Sequence, residues 1–170
     1  MRSPDDSDTS SDDRSESAPF SGDGGTPEQR VAAYARDLLE QWAAALDADD
    51  FGRVRALLSP HCVYRMRDTE LVGPDAICGS YAEAAAWGRS KLDGLVYESS
   101  LTETGAGTGH GAGTVRFVDH LEHAGERHTH TCEQQVELGE DGLIARIEHR
   151  DLPGEREAVE AWFEKVGLER

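Results

Sequence analysis

The chain has 170 residues, of which 34 are acidic and 17 are lysine or arginine, so its formal net charge at pH 7 is −17. This length favours a single domain. The excess of acid excludes the basic face that nucleic acids and anionic membranes require, so we expect neither among its partners.

The number and spacing of the cysteines and the length of the apolar runs indicate the cellular compartment. Cys62, Cys78 and Cys132 are odd in number and show no C-x-x-C spacing, which is typical of a reducing environment rather than of a disulfide framework. No basic start is followed by an apolar run, and no apolar run approaches the roughly 20 residues of a membrane span. We therefore expect a cytoplasmic protein.

The first elements follow from composition and periodicity. Residues 1–26 contain almost no large apolar group and are predicted to form a disordered acidic tail before a folded domain over 27–170. Thr26-Pro27 is a helix start signal, and the spacing predicts a helix over 28–47. Its apolar stripe comprises Val31, Tyr34, Leu38, Trp42 and Leu46. Asp49 or Asp50 then caps a short second helix that Ser59-Pro60 ends.

The rest of the chain changes from helical period to period two. A strand is predicted over 61–68, a loop around Gly73-Pro74 and a third helix from Asp75 to about Leu92. Four further strands are predicted over 95–104, 114–123, 128–138 and 143–151, and a last helix over 155–166. The glycine-rich segment 105–113 is a hairpin connection, because no Lys-Ser/Thr and no helix follows it as in a phosphate loop. This order of elements indicates an α+β fold with helices on one face of an antiparallel sheet.

Residues 38–81 resemble the opening of the NTF2-like superfamily, in its SnoaL-like and ketosteroid-isomerase-like branches. The similar features are W-A-A-A-L-D-A-D-D in a helix, a short helix ending in L-L, a strand, and then L-V-G-P-D-A-I. The closing G-E-D-G-L-I-A-R-I-E-H-R-D also resembles such proteins, and the likeness covers about 28–166. It implies a cone-shaped half-barrel, a curved sheet wrapped around the N-terminal helices and closed by a short C-terminal helix. It also implies a small-molecule pocket on the concave face.

The same resemblance leaves the activity open, since the superfamily contains isomerases, dehydratases, polyketide cyclases and non-catalytic binding domains. The ketosteroid-isomerase residues do not carry over. The family's helix tyrosine falls on Trp42, its general base near Arg65 and its oxyanion-hole acid near Gln134. Steroid isomerisation is therefore not expected.

Strand alternation identifies the polar groups that accompany the core residues. In 128–138 the inward set is His128, His130, Cys132 and Gln134, followed by Val136 and Leu138. In 114–123 it is Val115, Phe117, Asp119, Leu121 and His123, and in 143–151 it is Leu143, Ala145, Ile147, His149 and Asp151. Tyr64 and Met66 are expected to point inward from 61–68. A four-residue turn over 124–127 would pair His123 with His128, Asp119 with Cys132 and Phe117 with Gln134.

One hypothesis is acid–base catalysis on a small organic substrate. His130 is the expected general base or acid, because imidazole titrates near neutral pH, and Asp119 would orient it. His149 and Asp151 supply a second pair, and Tyr64 would donate a hydrogen bond to a developing enolate oxygen.

The alternative is a binding or sensing module without chemistry. A ligand of apolar or mixed polarity would contact Trp42, Tyr81, Trp87 and Phe117, with hydrogen bonds from the remaining inward polar groups, namely His123, His128, Cys132 and Gln134.

Three further expectations concern metals, thiols and assembly. We expect no cofactor. The i, i+2 spacing of His128 and His130, completed by His149, His123 or Asp119, leaves a metal site as a weaker alternative. Cys132 beside His130 is a weaker nucleophile candidate, because free cysteines are usually core residues. The family resemblance implies a homodimer formed through the outer face of the sheet, where Val118, Thr129, Thr131 and Gln135 lie.

Overall fold

The computed structural model describes residues 24–168, so the tail predicted over 1–26 falls almost wholly outside the described residues. The helices are α1 (Pro27–Asp47), α2 (Phe51–Leu57), α3 (Pro74–Lys91) and α4 (Glu155–Val166). The strands are β1 (Leu58–Met66), β2 (Thr69–Val72), β3 (Gly94–Gly105), β4 (Ala112–His123), β5 (Glu126–Leu138) and β6 (Ile144–Asp151). The predicted α+β class is confirmed. None of the described helices is both long enough and apolar enough to cross a bilayer.

Helix α1 begins where its sequence signal lies. The Thr26 hydroxyl accepts a hydrogen bond from the Gln29 backbone N–H (3.2 Å), and the Gln29 side chain accepts one from the Thr26 N–H (2.8 Å). This capping box satisfies two amides that the helix itself leaves unpaired. Leu38 and Trp42 are buried on the inner face. Tyr34, predicted in the same stripe, is instead half exposed, and its hydroxyl donates to the Gly142 carbonyl (2.8 Å).

The sheet has the strand order β2-β1-β6-β5-β4-β3 and is not closed into a barrel. All neighbours pair antiparallel except β1 and β6, which run parallel, so the sheet is mixed. Strand β2 replaces part of the loop predicted around Gly73-Pro74, and it forms a hairpin with β1 in which Arg67 has a positive φ of 53°. Ser59-Pro60 lies inside β1, because the chain passes from α2 directly into extended backbone at Leu58.

The turn between β4 and β5 corrects the predicted register. Ala124 (φ 50°) and Gly125 (φ 78°) form a two-residue turn with positive φ at both positions, the type I′ geometry that matches strand twist. The observed pairs are His123 with Glu126, Asp119 with His130 and Phe117 with Cys132. The predicted pairs, His123 with His128, Asp119 with Cys132 and Phe117 with Gln134, are wrong by two residues. A shift of two keeps every side chain on its predicted face.

The interior contains two apolar clusters. The larger joins α1, α2 and α3 to the sheet around Trp42, Leu39 and Ile147. The smaller lies under α4, with Trp162 and Phe163 packed against the far end of the sheet. Residues of both clusters line the cavity described next.

Candidate functional site

A cavity of about 210 Å³ lies between the concave face of the sheet, the end of α1, helix α3 and helix α4. An engineered 150 Å³ apolar cavity in another protein holds benzene, so this space fits a ligand of one or two rings. Its wall is mainly aromatic and aliphatic, with a few polar groups between them. That mixture is typical of small-molecule sites.

Many side chains predicted for the site lie in this wall. They are Tyr64, Tyr81, Trp87, Phe117, Asp119, His130, Cys132, Gln134 and His149. They come together because alternate residues of β4, β5 and β6 project onto one concave face, over which α3 supplies the Tyr81 phenol and the Trp87 indole.

Other predicted residues lie elsewhere. Trp42 is fully buried in the larger cluster, edge-on to the Phe117 ring with centroids 5.7 Å apart. His128 stacks on Trp162 of α4 (5.7 Å), and His123 lies 3.6 Å from Asp93. His128 therefore packs beneath α4, and neither histidine lines the cavity.

Asp151 also lies outside the wall but reaches it through His149. Arg67 donates two hydrogen bonds of 2.7 Å to the Asp151 carboxylate, one from Nε and one from Nη2. These bonds lower the pKa of Asp151 to about 2. The other contact of the carboxylate is His149 Nε2, 3.1 Å from Asp151 Oδ1. Two strands, β1 through its hairpin and β6, therefore hold an Arg67–Asp151–His149 chain.

This chain assigns the tautomer of His149. An ionised carboxylate only accepts hydrogen bonds, so Nε2 carries a proton, and in the neutral imidazole Nδ1 is the nitrogen with the lone pair. Nδ1 is buried, and no donor or acceptor among residues 24–168 bonds to it. The His149 side chain thus lies in the cavity wall and is only 10% exposed.

Two tyrosines adjoin this histidine. The Tyr81 hydroxyl donates to Gln134 Oε1 (2.7 Å), and Gln134 is the cross-strand partner of His149. The Tyr64 and Tyr81 rings stack with centroids 5.5 Å apart. Burial raises the pKa of both phenols above their usual range, so both stay neutral and act as hydrogen-bond donors.

Asp119 and His130 form a second polar group farther along the sheet. They are cross-strand partners on β4 and β5, and both line the cavity. His130 Nδ1 lies 3.6 Å from Glu155 Oε2 at the start of α4, and the same oxygen accepts the Thr131 backbone N–H (2.8 Å). The first turn of α4 is thereby tied to β5.

The weaker alternatives find less support. Burial raises the pKa of the Cys132 thiol to about 12, which keeps it protonated and unreactive at neutral pH. Within the described part of the chain, no three His, Cys, Asp or Glu side chains are placed to hold a metal ion. The set His128, His130 and His149 is not assembled, because His128 lies under α4 while His149 faces the cavity.

Several wall residues were not predicted from the sequence. Asp47 and Asp49 lie at the end of α1 and just after it, and Tyr97 lies on β3. A usable signal existed for Tyr97, because Leu95, Tyr97, Ser99 and Leu101 alternate with exposed residues along β3. The aspartates carry no comparable signal, since acids near a helix end are ordinarily solvated.

Comparison with known proteins gives likeness in structure alone. No protein-family model matches the sequence, and no curated protein matches it. A candidate polyketide cyclase from Xanthomonas campestris superposes with a TM-score of 0.57 at 14% identity, over 80% of this chain and 98% of that one. An LEH-like epoxide hydrolase from Mycobacterium tuberculosis gives 0.53 at 18% identity, over 79% and 98%. The protein Aln2 from a Streptomyces species gives 0.54 at 20% identity, over 81% and 98%. At these identities the matches show a shared fold.

Proposed function

Because the chain has the NTF2-like fold, with a cavity on the concave face of its sheet, we propose that it binds a small organic molecule of apolar or mixed polarity and moves a proton on it. Isomerases, dehydratases and cyclases act in this way. The observation that carries the proposal is the Arg67–Asp151–His149 chain, which fixes an imidazole ring in the cavity wall. Structures named as a polyketide cyclase and an epoxide hydrolase share the fold.

In the proposed reaction, His149 Nδ1 removes a proton from the ligand. The imidazolium that forms is stabilised by the Asp151 carboxylate 3.1 Å from Nε2, and Arg67 keeps that carboxylate ionised. This is the role of an orienting acid behind a general base. The neutral phenol of Tyr64 is suited to donate to a developing enolate oxygen, because its raised pKa prevents ionisation, whereas the Tyr81 hydroxyl already donates to Gln134.

Asp119 and His130 serve, in this proposal, the other end of the ligand. His149 pairs with Gln134, which lies four residues from His130 along β5, or about 13 Å of strand. The two imidazoles therefore do not exchange a proton directly. We assign the base to His149, since the Asp151 carboxylate beside its Nε2 is itself held by two hydrogen bonds from Arg67.

A non-catalytic binding module is the second candidate. The Tyr81 hydroxyl and the Gln134 amide are hydrogen-bonded to each other, so this donor and this acceptor are already paired without a ligand. The aromatic lining would then supply affinity by apolar contact alone.

A proton-abstraction probe separates the two candidates. 5-Nitrobenzisoxazole has two fused rings and opens to a coloured phenolate when a base removes its C–H proton. We expect His149→Gln to lower kcat/KM by about 100-fold and His110→Gln, in an exposed loop, to leave it unchanged. Saturable binding of the probe without turnover that depends on His149 would refute catalysis and leave the binding module.

We also propose that the chain forms a homodimer through the outer face of the sheet. Val96 of β3 is 57% exposed there, opposite His120 and diagonal to Val118 on the neighbouring strand. Light scattering should give twice the monomer mass, and Val96→Arg should reduce it to the monomer mass. A monomeric wild-type protein would exclude this assembly.

A further inference from the structure

The last residue of α1, Asp47, lies in the cavity wall and is held there by β3. Its Oδ2 atom accepts two hydrogen bonds from Ser99, one from the backbone N–H (3.0 Å) and one from the hydroxyl (2.7 Å). These bonds fix the position of the carboxylate. The other oxygen, Oδ1, is buried, and no donor in residues 24–168 bonds to it. A buried acceptor without a donor is costly, so a cationic group placed beside the Asp47 carboxylate would be stabilising.

The charged residues around the cavity indicate the sign of the ligand's charge. The wall contains three carboxylates, Asp47, Asp49 and Asp119, but no lysine or arginine among the described residues. Asp49 is paired with Arg89 (2.5 Å), and Asp119 lies across from His130. Among the described contacts of Asp47, none is with a cationic side chain. A cation is therefore favoured beside Asp47, and an anionic ligand is repelled.

Aromatic rings surround the same end of the cavity. Ser99 pairs across the strands with Phe117, while Phe51 and Tyr97 also line the wall. The Tyr97 ring already holds one cation, because the Arg89 guanidinium lies 5.6 Å from its centroid. Ring faces attract ammonium groups most strongly where water is excluded.

We propose that the ligand is a protonated amine on a one- or two-ring apolar body, with its ammonium group paired with the Asp47 carboxylate. This inference rests on the proposed small-molecule cavity and specifies the chemical class that the cavity takes. The ring body occupies the aromatic part of the 210 Å³ space, which leaves His149 to act on the opposite end of the ligand.

Three probes of matched shape test the charge preference. They are phenethylamine, 2-phenylethanol and phenylacetate, titrated by calorimetry at pH 7 into the full chain. We expect phenethylamine to bind about tenfold or more tighter than the alcohol, because a charge-assisted hydrogen bond replaces a neutral one. Phenylacetate should bind weakest of the three. This comparison uses the wild-type protein and needs no variant to fold.

Two variants place the preference at Asp47. Asp47→Asn should make the amine and the alcohol bind equally, whereas Asp37→Asn, on the exposed face of the same helix, should keep the wild-type ratio. Equal affinities in the wild-type protein, or tightest binding of phenylacetate, would overturn the amine proposal and leave the cavity proposal standing. Binding of none of the probes would overturn both.

Discussion

Replacing Arg67 with glutamine removes the two hydrogen bonds that hold the Asp151 carboxylate. In the folded chain the pKa of Asp151 is lowered from 3.8 to about 2, with Arg67 as the largest cause. A pKa difference of this size corresponds to about 2 kcal/mol of unfolding free energy at neutral pH. Because the Arg67 side chain is 40% exposed, solvent screening reduces the expected loss in Arg67→Gln to about 1–2 kcal/mol.

The pH dependence of this loss has a definite sign. A carboxyl group whose pKa is lower in the folded than in the unfolded state stabilises the fold above the unfolded pKa. The stabilisation disappears as the pH falls through the folded pKa. The free energies of unfolding of the wild-type protein and of Arg67→Gln should therefore show their full difference at pH 7, roughly half of it at pH 3, and little of it at pH 2. Urea denaturation measures the difference, and carbon NMR of the Asp151 carboxyl measures its pKa directly.

Arg65 provides the matched control, because it lies on the same β1–β2 hairpin and bonds Glu70 at a similar distance (2.7 Å). Both partners of that pair are about half exposed, so Arg65→Gln should cost less than about 0.5 kcal/mol. The reasoning is refuted if Arg67→Gln costs no more than Arg65→Gln. It is also refuted if the cost of Arg67→Gln does not change with pH.

Three other measurements test packing, hydrogen bonding and thiol burial. Gly113→Ala would place a Cβ atom 2.5 Å from a leucine methyl of α1, so urea denaturation should show a free energy of unfolding lower by about 1–3 kcal/mol. Gly105→Ala, with open space around the added methyl group, should lower it far less. Equal losses in the two variants would contradict this packing. Tyr81→Phe leaves a buried amide oxygen without its donor and should lower the free energy of unfolding by about 1–3 kcal/mol. Tyr34→Phe, at the surface, should lower it by under about 1 kcal/mol. The reverse order would contradict the assigned burial. Cys132, whose thiol pKa burial raises to about 12, should resist a disulfide reagent at pH 8 until urea unfolds the chain, and rapid native labelling would restore it as a nucleophile candidate.

Local signals in the sequence predicted most of the elements. Thr26-Pro27 marked the start of α1, and a period of two located β4, β5 and β6 close to their observed bounds. Alternation also assigned His130 and His149 to the inner face, because side chains on a strand have only two directions to take. Capping and periodicity are properties of neighbouring residues, so no tertiary structure was needed to infer them.

Pairing across the sheet was harder to predict. The type I′ turn places Ala124 at a positive φ, a position where glycine, asparagine or aspartate is the usual signal, and the register was misjudged by two residues. The short strand β2 and the parallel pairing of β1 with β6 were not predicted either. Strands β1 and β6 are distant in sequence, and such a pair is selected by packing across the whole sheet, which leaves little trace in either segment alone.

The sequence by itself determined which side chains of β4 and β5 face inward, since alternation follows from the geometry of a single strand. At the start of β6 the prediction of Leu143 and Ala145 was wrong, because a register shift beside Leu138 places Ile144 in the core. Only the tertiary structure decided which of those inward groups meet in a cavity. Helix α4 covers His128, while the β1–β2 hairpin brings Arg67 to Asp151 and α1 carries Asp47 to Ser99. Each of these contacts joins residues far apart in the chain, and their chemistry arises from the distance between the partners rather than from either residue's immediate neighbours.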